Sequence, residues 1–319
     1  MKLEKSRSYL GVDILKHGLA ICVVIQHMRF SMYDVSTISL ITQLTNYLQG
    51  AVLTFFLVSG YFFHVKRKDG RFNRPLIAYL GHQAQRLLLP FAVFSLINAV
   101  VMLHFGITSV RKEILNFLMG FGTGPQMYFL PFLFVCTGIG AIIQTASRPS
   151  RRREAAIFLM LAVLLTVVAL YLPTGGATGE NYRLLPLYGV AFIGGHLISL
   201  MQQENYAKGM FTTIGLATIF SALGFVDFRF YYIGVGVIVF AVAYIMSSIL
   251  PDRRGPGSGG VYLLHAPIIS FAVVHGLARL GIKNGMNVAL SVFLIYVLCL
   301  SITLVLIKVS PHYRMLLLE

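Results

Sequence analysis

Charge is scarce in this sequence. Only 12% of the 319 residues are Asp, Glu, Lys or Arg, against about 25% in an ordinary soluble domain. With 57% hydrophobic residues, this shortage excludes the two soluble domains that the length alone would allow. Cysteine is scarce as well. Cys22, Cys136 and Cys299 all fall inside apolar runs, and none pairs at metal-ligand spacing. That excludes a disulfide framework and reads as inert, buried thiols. No small-residue cleavage site follows the basic start Lys2, Lys5 and Arg7, so the first apolar run is expected to be kept as a span. The turn Pro251 to Gly260 lacks the Gly-Lys-Ser/Thr ending of a phosphate loop, and no H-E-x-x-H metal pair occurs. There is neither a solenoid-type repeat nor a pair of matching halves with broken helices, the mark of many secondary transporters.

What is present is a series of apolar runs near the ~20 residues that a helix needs to cross a bilayer. They fall at roughly 10–30, 45–65, 86–106, 126–146, 155–173, 184–201, 210–226, 230–250, 259–281 and 287–309. The expected fold is all-α: one polytopic membrane domain over residues 1–319, with about ten transmembrane helices. The net charge of +15 could suggest nucleic acid, but Lys and Arg gather in alternate loops. The N-terminus, Lys66 to Arg74, Arg148 to Arg153, Arg253 with Arg254, and the tail with Lys308 and Arg314 all lie on one side of ten spans. By the positive-inside bias that side is the cytoplasm, and both termini are cytoplasmic. The opposite loops hold few basic residues, among them Arg111, Lys112, Arg183 and Lys283. Thr174 to Arg183 reads as a polar outer loop.

The first span, Gly11 to Phe30, carries Asp13, Lys16, His17, Gln26, His27 and Arg29. Ionisable groups in hydrocarbon are costly, so they usually face a protein interior or a wet cavity. Lys16 and His27 are eleven residues apart, close to three turns and about 16 Å along a helix axis. Asp13, one turn before Lys16, shares that face. The face Asp13, Lys16, Ala20, Val23, His27 suits a helix lining a passage. A histidine there can accept the proton of an attacking hydroxyl, because imidazole titrates near the working pH. Gln26 and Arg29 fall off this face, and Arg29 reads as a snorkelling interfacial group.

Other stretches are weighed in the same way. Ser59 and Gly60 in TFFLVSGYFFHVKRK read as close helix packing at small residues, not as a nucleophile elbow. Arg86, nearest the membrane in YLGHQAQRLLLPF, is a candidate for binding donor phosphates through its forked guanidinium. The aromatics of Pro125 to Pro131 read as an interfacial belt. His265 lies inside a span with Tyr262 one turn before it, either as a second site group or as a structural hydrogen-bonder. Tyr128 and His265 complete the candidate donor-binding set with Arg86. His64, His82, His104, His196, His275 and His312 read as interfacial or singly placed, and no metal site is expected.

The ordered set of Asp13, Lys16 and His27, FFLVSGYFF at 55–63, RLLLPF at 86–91, MYFLPFL at 127–133 and VYLLHAPI at 261–268 resembles the membrane acyltransferases of family 3. In that family the first span carries Arg, ten residues, then His. Lys16 stands here in place of the Arg, as in the branch with Asp-x-x-Lys, and Tyr128 stands where a Trp is usual. The resemblance implies an O-acyltransferase of the bacterial inner membrane. It would move an acyl group, most often acetyl but also succinyl, from acetyl coenzyme A or another acyl-CoA. The acceptor would be a hydroxyl of an envelope glycan or lipid-linked sugar, with His27 as the proposed catalytic residue. The competing reading is a transporter or flippase of a polysaccharide intermediate.

Overall fold

The computed structural model describes residues 9–28, 33–66, 75–124, 126–147, 150–172, 180–250, 255–282 and 284–310, with Tyr313 and Leu317. Arg29, Pro125 and most of the basic loop residues, including Arg67 to Arg74, Arg148, Arg253 and Arg254, lie outside the described residues.

Every described element is helical: α1 (Leu10–Gln26), α2 (Val35–Leu48), α3 (Gly50–Lys66), α4 (Leu76–His104), α5 (Val110–Leu118), α6 (Phe129–Ala146) and α7 (Arg151–Tyr171). There follow α8 (Glu180–Glu204), α9 (Tyr206–Leu223), α10 (Phe228–Ile249), α11 (Ser258–Leu264), a π-helical turn (His265–Ile269), α12 (Ser270–Arg279) and α13 (Gly285–Val309). A helix lies at each of the ten expected positions. Among the described residues, however, seven helices are long and apolar enough to cross a membrane. The reasons are physical. Among the described residues α1 and α3 have 17 residues each, about 25 Å at 1.5 Å per residue, against a hydrocarbon core of ~30 Å. α9 is diluted by Lys208, four threonine or serine residues and two glycines. The boundaries also shift. Arg151 to Arg153 stand in the first turn of α7, capped by Ser150, and α8 begins at Glu180, inside the stretch expected to be a loop.

The chain is nonetheless a multi-pass membrane protein by its surface. Only 17% of the most apolar stretch of α7 and 22% of that of α13 is buried. Leu159, Met160, Val163 and Leu164 of α7 all point outward. So much continuous apolar surface would be penalised in water and is satisfied by lipid.

The contacts divide the chain into two compact units. The first comprises Met1–Ala51, Arg86–Pro131 and Val242–Glu319, and the second Val52–Gln85 and Phe132–Ala241. In the second unit α8 is the central helix, with 78% of its most apolar stretch buried. It meets α3 through glycines. A Cβ on Gly60 would strike the Phe192 carbonyl, and one on Gly195 would strike the Leu57 carbonyl. This is the close packing at small residues expected of Ser59-Gly60. Phe56 and Tyr188 stack nearby with ring centroids 4.6 Å apart.

The first unit contains α1 and all six expected site residues. Gly11 lets α1 press on the backbone of α10 at Ala243, where Ser247 Oγ accepts the Val12 N–H at 3.3 Å. The segment between α5 and α6 turns through Gly120, Gly122 and Gly124, all at positive φ. It is pinned by Asn98, whose amide donates to Thr123 O at 2.9 Å, and by the Thr123 hydroxyl on the buried Glu113 carboxylate.

Candidate active site

α1 buries Val12, Leu19, Ala20, Val23 and Val24 and leaves Ile14 and Gly18 exposed. The face with Ala20 and Val23 is therefore turned into protein, as its pattern predicts. Asp13, Lys16, His17 and His27 are each half-buried. The helix itself stops at Gln26, and His27 is its C-cap (φ −98°, ψ 9°), its N–H bonding Val24 O at 3.1 Å. The last turn tightens, but the Cα of His27 is placed by the helical residues before it. The spacing from Lys16 is thus preserved at about three turns. Gln26 donates to Leu48 O at the end of α2, a structural tie consistent with its place off the face.

At its N-terminal end α1 is fastened to the segment before α11. Lys16 Nζ lies 2.5 Å from Asp13 Oδ1, and Asp13 Oδ2 accepts the Gly255 N–H at 3.0 Å. His17, one residue off the expected face, completes the clamp. Its Nε2–H donates to Gly255 O at 3.3 Å, which leaves Nδ1 to accept from the Tyr296 hydroxyl of α13 at 3.1 Å. With the hydrogen on Nε2, one ring orientation serves both partners. The stretch read from sequence as a turn is thus held at Gly255 through both of that residue's backbone polar groups. Gly257, at φ +112°, then supplies a left-handed conformation open to glycine and opens α11.

At the other end of α1, two histidines separated by 238 residues meet. The rings of His27 and His265 stack with centroids 5.3 Å apart and 23° between planes. His265 is fully buried. Its orientation follows from a break in the helix. Ala266 is extended (φ −128°, ψ 151°), as a residue before proline prefers to be, and the chain passes through one π turn. Such a break strips carbonyls of their helical donors, and Pro267 has no N–H to give Leu263 O. Side chains replace them. Gln126 Nε2 donates to Leu263 O at 3.4 Å and to Ala266 O, and Ser270 Oγ donates to His265 O at 2.6 Å. His265 Nδ1 turns back onto Val261 O at 3.2 Å and Tyr262 O at 2.8 Å. Tyr262 in turn donates its hydroxyl to Gln126 O at 2.9 Å, and its ring packs on Phe129 at 5.1 Å.

The structure therefore joins Asp13 to Lys16 and His27 to His265. Arg86 lies half-buried on α4, and Tyr128 lies half-buried in the turn before α6. The belt reading fails for the neighbours of Tyr128, because Met127 and Phe129 are buried. Gln126 and Tyr296 had no sequence signal, since their partners lie more than a hundred residues away, and His17, though one of the polar groups of the first span, gave no sign of its partners for the same reason. His196 is corrected too. It is fully buried in the second unit, its Nε2 3.1 Å from Glu154 Oε1 and its ring centroid 4.2 Å from that of Phe158. Glu154 follows three exposed arginines but points inward. Among the described residues, no group of three or more His, Cys, Asp or Glu could hold a metal ion.

Residues 9–308 match the model of the acyltransferase family 3 domain. The comparison with curated proteins finds no match, and neither does that with solved structures.

Proposed function

The chain belongs to acyltransferase family 3 and is an O-acyltransferase, and we propose that it transfers an acetyl group from acetyl coenzyme A to a hydroxyl of an envelope glycan or lipid-linked sugar. The observation that carries this reading is the pairing of His27 with His265 at one end of α1, about three turns from Lys16. His27 takes the proton of the attacking hydroxyl. The oxygen bonds to the thioester carbonyl carbon, the C–S bond breaks, and the imidazolium returns its proton to the leaving thiolate. Hydroxyl and thioester become ester and free thiol, and His27 is regenerated. The C-terminal end of α1 carries partial negative charge, which suits the imidazolium formed on the way.

Lys16 has three N–H donors and gives one to Asp13. With its side chain 32% exposed, it can turn another to an anionic part of the donor. Arg86 is assigned to the donor phosphates, whose geometry its guanidinium matches, and Tyr128 to the thioester end of the donor. Ten spans with both termini in the cytoplasm, in the bacterial inner membrane, would bring acyl-CoA to the Lys16 end and the glycan to the His27 end.

The test is transfer of label from radiolabelled acetyl coenzyme A to polymer in membranes containing the protein. Label on the glycan, absent from membranes without the protein, is the expected result. Loss of polymer export with no change in its acylation would instead mean a transporter or flippase.

A further inference from the structure

Two polar side chains beside the proposed reaction point are left with the same kind of atom unused. Gln126 is 1% exposed and His265 fully buried. Gln126 Oε1 and His265 Nε2 make no hydrogen bond among the described residues. In both cases the other polar atom is committed as a donor to backbone carbonyls of the broken helix. The Gln126 amide nitrogen faces the carbonyls of Leu263 and Ala266, so an exchange of its O and N would set oxygen against oxygen. His265 Nδ1 faces the carbonyls of Val261 and Tyr262, so its hydrogen is there, and Nε2 of the neutral ring is a lone pair. Both unused atoms are acceptors. A buried acceptor without a donor is destabilising, so a site that keeps two of them calls for a ligand that donates.

The two substrates differ in this respect at the point of reaction. A thioester offers a carbonyl oxygen and a sulfur there, neither with a hydrogen to give. A sugar offers hydroxyls, each with one O–H donor. Resting on the acyl-transfer reading above, we infer that Gln126 Oε1 and His265 Nε2 bind hydroxyls of the acceptor sugar. They would hold the polyol against the His27 ring that stacks on His265. This places His265 on the acceptor side of the reaction, not with the donor-binding group in which its sequence setting put it. The proline at 267 then has a purpose in the site. By breaking the helix it supplies the carbonyls that turn both side chains to present acceptors.

The experiment uses cells without their own copy of the protein, complemented with wild type, Gln126→Met or His265→Phe. Both variants keep roughly the volume of the side chain and remove the acceptor, together with the N–H that serves the broken helix, a structural loss that the binding and accumulation measurements register. The O-acyl content of the native envelope glycans is measured by mass spectrometry. Acetyl coenzyme A binding is measured on each purified, detergent-solubilised protein. Glycan acylation is expected to fall about tenfold in each variant, the loss of one neutral hydrogen bond, with the acetyl coenzyme A Kd unchanged. Retained binding also reports that the variant is folded, and if one variant fails to accumulate the other decides. Wild-type acylation in a folded variant, or weakened acetyl coenzyme A binding with normal accumulation, overturns the assignment. If wild-type cells themselves add no acyl group to the glycan, the acyl-transfer reading fails and the assignment falls with it.

Discussion

Asp13 distinguishes a clamp from a catalytic group, and its removal has a calculable cost. Its carboxylate takes the Gly255 N–H at 3.0 Å and the Lys16 ammonium at 2.5 Å. A hydrogen bond to a charged acceptor contributes about 1.5–3 kcal/mol. A one-turn ion pair with a partly exposed lysine adds at most about 0.5 kcal/mol after solvent screening. Asp13→Ala should therefore destabilise the protein by about 2–3 kcal/mol. Asp13→Asn keeps an acceptor for Gly255, a neutral bond of about 1 kcal/mol, so its loss should be nearer 1–2 kcal/mol. Lys16→Met should cost no more than about 0.5 kcal/mol. Thermal unfolding in detergent can be followed with a thiol-reactive dye, because Cys136 and Cys299 are buried and Cys22 is partly so. In order of falling Tm the proteins are wild type, Lys16→Met, Asp13→Asn and Asp13→Ala. An Asn variant as unstable as the Ala variant would show that the Gly255 bond does not hold the clamp. Lys16→Met should also lose acyl transfer out of proportion to its small loss of stability, since Lys16 is assigned to the donor and not to the fold.

Three further outcomes follow from contacts elsewhere. Tyr296→Phe removes the donor to His17 Nδ1 and should lower stability by about 1 kcal/mol in the same assay. Gly60→Ala and Gly195→Ala set a methyl against backbone carbonyls that cannot rotate away. Each should cost about 1–3 kcal/mol or more and reduce the amount of protein in the membrane, measured by immunoblot. Glu154→Ala removes the carboxylate that His196 Nε2 meets at 3.1 Å and should cost about 1–3 kcal/mol, whereas Glu154→Gln, which keeps an acceptor, should cost less.

The helical membrane fold was legible because lipid-facing helices must be apolar over a fixed length, and a sequence displays that directly. The helix count was less so. α1 and α3 are too short and α9 too polar to stand with the other spans by length and hydropathy. Asp13, Lys16 and His27 could be read from local spacing alone. His265 could be singled out as costly in a span, but its stacking on His27 depends on a tertiary approach over 238 residues. Gln126 was hidden among aromatics, and its orientation is set by a proline far along the chain. His17 was passed over because it stands one residue off the polar face and points to Gly255 and Tyr296 instead. His196 was passed over because Glu154 reads as the end of a basic run, and only the helix phase turns it inward.

The central claim is that His27 performs acyl transfer, and the most direct measurement is the acyl mass on envelope polysaccharide from cells carrying wild type or His27→Ala. The two proteins should accumulate equally in the membrane. The glycan from His27→Ala cells should lack the acyl group, as in cells without the protein. Wild-type acylation by a normally accumulating His27→Ala protein would contradict the account.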